Sequence, residues 1–144
     1  MNINLRLAAG IRGRIAVKED QRSVAERYFR EATAPIYYSN KMGSPFFSGA
    51  MENYLLAGLL ASGGRNDEAL IIYRSFDDTS IFDRVFRVPS LIDRAKIYED
   101  EGEIATALEI VLTAEELWSS ADPEFQPMLD EIADLKVSLE SASR

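Results

Sequence analysis

The chain contains neither histidine nor cysteine. That excludes the usual zinc ligand sets, a histidine general base and a thiol nucleophile. Catalysis would fall to carboxylates, Lys, Tyr or Ser alone, and no enzyme activity is expected. No apolar run approaches the roughly 18–20 residues that cross a bilayer. The opening MNINLRLAAGIRGR lacks the charged, then apolar, then small-residue layout of a signal peptide. The expectation is therefore a soluble, cytoplasmic protein without a membrane partner. The missing cysteines agree with a reducing compartment without testing it, because disulfide-free secreted proteins exist. No period-two alternation persists beyond a few residues, so strands are not expected.

What remains is a chain of 144 residues, 47% apolar and 10% aromatic, enough for one domain with a real core. The net charge of −8 is unevenly spread. Residues 1–48 hold eight Lys/Arg against four Asp/Glu, and residues 49–144 hold eight against twenty. Such asymmetry biases encounters with charged partners, or simply makes two differently solvated faces.

Apolar periodicity predicts seven helices. The first covers 3–18, with Leu7, Ile11 and Ile15 recurring every four residues. Gly10 and Gly13 weaken it by roughly 1 kcal/mol each relative to alanine, which is tolerable where another helix backbone packs closely. The second covers 21–34, with Val24, Ala25, Tyr28, Phe29 and Ala32 on one face and Pro35 after it. The third starts at Ser44-Pro45 by the cap-then-proline rule and runs to about Ser62, where Gly63-Gly64 stop it. The fourth opens at Arg65 or Asn66 and reaches Phe76. A loop follows, with one helical turn from Ile81 to Phe86. The fifth runs from Pro89 to Glu101, the sixth from Glu103 to Ser119. A seventh begins at Asp122-Pro123-Glu124, with Pro127 delaying or kinking it. Trp118 is expected to wedge between the sixth and seventh.

One pattern occurs twice, 38 residues apart: AGLLASGGRNDEALIIYRSF (57–76) and AKIYEDEGEIATALEIVLTA (95–114). In each, a small residue (Ala57, Ala95) is followed seven positions later by glycine (Gly64, Gly102), and five later by alanine (Ala69, Ala107). A degenerate copy places Gly13 at the first small position, Asp20 at the turn, and Ala25, Phe29 and Ala32 beyond it. Small residues let two helices approach, glycine permits the turn, and bulky residues such as Tyr73 fill the space beyond.

These residues resemble the tetratricopeptide repeat family, whose unit is two antiparallel helices with a small–bulky–Gly–Ala pattern. Val111 is a weaker match at the bulky position, and Phe76 departs from the later small residue that Ala114 supplies. The copies stand 44 and 38 residues apart, beyond the family's usual length of about 34, which puts the excess in the loops at 35–44 and 77–88. The stretch Leu91–Leu139 also resembles the C-terminal end of such arrays in bacterial signalling and regulatory proteins. An array cut from a longer chain and a native start at Met1 both fit the opening.

The resemblance implies an all-α fold: a right-handed α-α solenoid, one domain over residues 1–144, of three helix pairs (about 3–34, 45–76 and 89–119) plus a C-terminal capping helix (about 123–141). It implies a non-catalytic module, a scaffold or regulatory adaptor, that holds a protein or peptide segment in a concave groove. By helical position the lining would be Leu7, Arg14, Val17 and Lys18, then Met51, Tyr54, Ala61 and Ser62, then Ile92, Lys96, Glu99 and Asp100. Such a groove runs from basic through apolar to acidic and would suit an apolar anchor near Tyr54 with a basic segment near Glu99 and Asp100. Ordinary packing of Met51, Tyr54 and Ile92 is the competing reading. The polar clamp that some members use for a C-terminal carboxylate is absent, with Gly10, Leu55 and Met51 in its place.

Two alternatives stand beside this: a homo-oligomer in which the basic N-terminal part packs on the acidic part of another copy, and a small-ligand sensor walled by Tyr37, Tyr38 and Tyr54. Nucleic acid is not an expected partner. Arg12, Arg14, Lys18 and Arg22 have no interleaved aromatics and the chain is acidic. No metal or cofactor is expected: Asp77-Asp78 and Glu115-Glu116 lack a cation-binding loop around them, and GSPFFSG and SGGRND lack the lysine and spacing of a phosphate loop.

Overall fold

The computed structural model describes residues 3–34, 48–78 and 83–143. Among them are seven α-helices and no strand. They are α1 (Ile3–Lys18), α2 (Arg22–Ala32), α3 (Ala50–Ala61), α4 (Asn66–Arg74), α5 (Arg87–Asp100), α6 (Ile104–Leu117) and α7 (Gln126–Ala142). Short 3-10 turns cover Arg84–Phe86 and Pro123–Phe125. The chain packs as two compact units, Met1–Phe86 and Arg87–Arg144.

The echo read in the sequence returns three times as one backbone geometry. Asp20, Gly64 and Gly102 all adopt left-handed torsions, with φ of 56°, 75° and 78°. At each, its own N–H bonds the carbonyl three residues back (Val17, Ala61, Glu99), and the next N–H bonds the carbonyl five back (Ala16, Leu60, Tyr98). Those two bonds are the Schellman termination of a helix. The following residue starts the next helix with nearly the same torsions each time: −93°/66° at Gln21, −95°/57° at Arg65 and −81°/56° at Glu103. Asp20 thus takes the turn position expected of it, in a conformation costly to residues with a Cβ.

Side chains repeat as well. Ala25, Ala69 and Ala107, five residues after each turn, have no solvent exposure. Four positions on, Phe29, Tyr73 and Val111 are likewise buried, and Ala32, Phe76 and Ala114 follow at the third contact. α1 packs on α2, α3 on α4 and α5 on α6. Three helix pairs therefore share one internal construction.

α1 turns its small-residue side inward. Its buried side consists of Arg6, Ala9, Gly10, Gly13 and Ala16. Leu7, Ile11 and Ile15, which recur every four residues, are 37%, 51% and 49% exposed. The cause is the closeness of its neighbours. A Cβ on Gly13 would lie 2.6 Å from the Phe29 ring, and one on Gly10 would lie 2.5 Å from Glu52 Oε1. Only the small-residue side fits so near, and what presses on the glycines are side chains rather than the expected helix backbone.

α2 also packs on α3, which joins the two pairs of the first unit. Arg22 Nη2 donates to the Leu59 carbonyl (3.0 Å) and to Ser62 Oγ (2.8 Å). Beside it a ring of charges closes on itself. Arg30 bonds Glu26 (2.9 Å) and Glu68 (3.2 Å), and Arg65 bonds the same two carboxylates at 2.8 Å and 2.6 Å. Both carboxyls are held below the usual glutamate range, chiefly by hydrogen bonds from Arg65. Tyr54, Tyr73, Phe76 and Phe86 form an aromatic cluster, with ring centroids 5.4–6.4 Å apart in edge-on or tilted contacts.

In the second unit α7 lies against α6 and touches α5. Its Ile132, Leu135 and Leu139 enter a core with Leu91, Ile92, Ala95, Ala107 and Val111. Asp122-Pro123 opens a 3-10 turn before α7, and Pro127 sits in the first helical turn, so the proline delays the helix as expected. Trp118 packs on the core and meets Phe125 at 5.0 Å, the wedge the sequence predicts. The expected helix start at Ser44-Pro45, and Ile81 and Phe82 of the expected turn, lie outside the described residues; α3 itself begins at Ala50, after the left-handed Gly49. The turn's remainder is the 3-10 segment Arg84–Phe86.

Candidate functional site

α1 and α3, the first helices of the two pairs in the first unit, are bridged by polar contacts. Arg14 Nη1 donates to Glu52 Oε1 (3.0 Å) and reaches Met51 Sδ (3.2 Å). Arg14 keeps 40% side-chain exposure, and Met51 is 48% exposed. Val17 and Lys18 on the next turn of α1 are exposed as well. Leu7, Arg14, Val17, Lys18 and Met51 are thus the solvent-reached candidates on α1 and α3, a set of aliphatic groups and cations.

The remaining candidates of the first unit are engaged. Tyr54 is half-buried in the aromatic cluster, Ala61 is half-buried, and the exposed Ser62 accepts from Arg22. In the second unit Ile92 is 3% exposed and belongs to the core. Lys96 pairs with Glu131 at 2.5 Å, and Glu99 accepts from Ser138 Oγ at 2.7 Å, so α7 reaches both. Asp100 is exposed. Tyr37 and Tyr38 lie outside the described residues.

No protein-family model matches this chain, and no curated protein matches it in sequence. The site has to be read from its own chemistry.

Sequence reasoning passed over Arg6. It is 5% exposed, with Nε donating to the Ala32 carbonyl at 2.7 Å and Nη1 without a hydrogen-bond partner. Burial lowers its pKa from the usual arginine value, and the charge of Glu52 opposes that shift. Gly49, left-handed at φ 73°, opens α3 beside it: a Cβ there would stand 3.3 Å from Arg6 Nη2. Glu52 therefore faces two guanidiniums, Arg6 by charge and Arg14 by contact, leaving a local excess of positive charge. The signal in the sequence was an arginine on the small-residue side of α1. Among the described residues no group of three or more acidic side chains could hold a metal ion, and no helix is long and apolar enough to cross a membrane.

Proposed function

We propose that this chain is a tetratricopeptide-like interaction module, a solenoid of helix pairs that binds a segment of another protein along its first helices. The observation that carries the reading is the threefold recurrence of one helix pair, with the same left-handed turn and the same buried alanine. Stacked pairs of this kind leave first helices side by side, and repeat arrays use such extended surfaces for binding. On α1 and α3 the exposed groups are Val17, Met51 and Lys18, with the part-exposed Arg14 held by Glu52 beside them, which suits an apolar anchor followed by acidic residues.

Peptide display on the whole chain tests this. Selected peptides are titrated into the wild type, Val17→Glu and Met51→Glu. Both positions are about half exposed, so the substitutions leave the fold intact. The expected outcome is acidic peptides with one apolar anchor, weakened about tenfold or more by each substitution. Selected peptides that both variants bind as tightly as the wild type would refute the site.

A further inference from the structure

We propose that the outer face of α1 is a docking surface for a second copy of this chain, which seats the outer face of its α6 there, head to tail. The inference goes beyond segment binding, because it adds Ile11 and Ile15, which that reading does not use, and names a second copy of this chain as the occupant. Ile11 and Ile15 carry it, with Leu7 at its edge, and their exposures run from 37% to 51%. Large aliphatics on successive turns of one exposed helix face mark an interaction surface, whereas scattered ones need no explanation.

Charge selects the occupant. α1 contains Arg6, Arg12, Arg14 and Lys18 and no acidic residue. Arg12 stacks over the Tyr28 ring at 6.0 Å, and Lys18 forms no ion pair among the described residues. Two α1 faces laid together would oppose cation to cation, so an isologous pair is disfavoured. α6 is the complement. It has no Lys or Arg, and it presents Leu112, 44% exposed, beside Glu109 and Glu116. Neither glutamate is ion-paired among the described residues. The outer face of α7 is also acidic, but Val137 is its only large exposed aliphatic group.

A contact of one helix face on another falls below the roughly 1,200–2,000 Å² of a stable interface. Association is therefore weak, on the order of 10–100 µM, and open-ended, because a head-to-tail contact leaves a free face at each end.

The test is sedimentation of the whole chain from about 5 to about 500 µM. Three samples are compared: the wild type, Ile11→Glu/Ile15→Glu and Leu112→Lys/Glu116→Lys. All substituted side chains are exposed, and circular dichroism checks that both variants fold. The wild-type mass should rise past the dimer with concentration and fall back in 1 M salt, where charges are screened beyond about 3 Å. Each variant alone should stay monomeric. Mixed together they should form dimers and nothing larger, since each retains the face the other lacks. A monomeric wild type at all concentrations, a mixture that stays monomeric, or association that survives the α6 substitutions would overturn the proposal.

Discussion

Alanine at Gly13 separates close packing from helix propensity, because the two predict opposite signs. Alanine stabilises a helix interior by about 1 kcal/mol over glycine. At Gly13, however, the new Cβ would lie 2.6 Å from two carbons of the Phe29 ring, which is itself fully buried and fixed between α1 and α2. Forcing a methyl group into such a site costs about 1–3 kcal/mol. The net expectation is a loss of up to about 2 kcal/mol. Gly10→Ala is the matched control. Its Cβ would meet Glu52, a flexible side chain that can turn away at the expense of a partly exposed ion pair with Arg14. That pair is worth about 1 kcal/mol or less, so Gly10→Ala should lie within about 1 kcal/mol of wild type. Urea denaturation followed by circular dichroism gives the stabilities, and hydrogen exchange in peptides from α1 and α2 places the effect. Trimming the ring with Phe29→Leu should reduce the cost of Gly13→Ala. If Gly13→Ala proves more stable than wild type, the close approach of α1 to Phe29 is wrong.

Three further outcomes are expected. Gly64→Ala and Gly102→Ala should each destabilise by about 1 kcal/mol through backbone strain alone, since nothing lies within 4 Å of either added Cβ; Asp20→Gly should stabilise, and thermal melts read all three. Glu26 and Glu68 have pKa values below the ordinary 4.5, so the stability their ring contributes is complete above that value and is lost as pH falls through the lowered values; Arg65→Gln should flatten this acid limb of a stability–pH curve, and an unchanged limb would remove the ring from the account. Leu139→Ala, at a site with no exposure in the core of the second unit, should cost about 2–5 kcal/mol by urea melts followed through Trp118 emission, and a smaller loss would mean α7 is not seated there.

The helices and turns were legible in the sequence because their signals are local. A glycine seven residues after a small residue and five before an alanine constrains one turn and its flanking packing, whatever lies elsewhere. The same spacing let Asp20 be placed at a turn, although aspartate there carries no obvious signal. The orientation of α1 was not legible. Leu7, Ile11 and Ile15 form one apolar side and Ala9, Gly13 and Ala16 another, and periodicity cannot say which one a neighbour prefers. The closeness of Phe29 and Glu52 decides it, and both come from other helices. The charge ring was hidden for the same reason, because Arg30–Glu68 and Arg65–Glu26 join residues 38 and 39 apart. Of the candidate site, Leu7, Val17, Lys18 and Met51 are exposed and Arg14 is part-exposed. Ile92 faces the core and Tyr54 joins an aromatic cluster. Helical position alone does not register α7 over α5, nor Phe86 folding onto Tyr54.

The most direct test is a nuclear Overhauser spectrum of the labelled chain, because three alike helix pairs demand three alike sets of contacts. The Phe29 ring should show cross-peaks to Gly13, the Tyr73 ring to Ala57, and the Val111 methyls to Ala95, with left-handed backbone shifts at Asp20, Gly64 and Gly102 together. Contacts present in the two later pairs and missing between Gly13 and Phe29 would leave a chain with two such pairs rather than three, and would contradict the account.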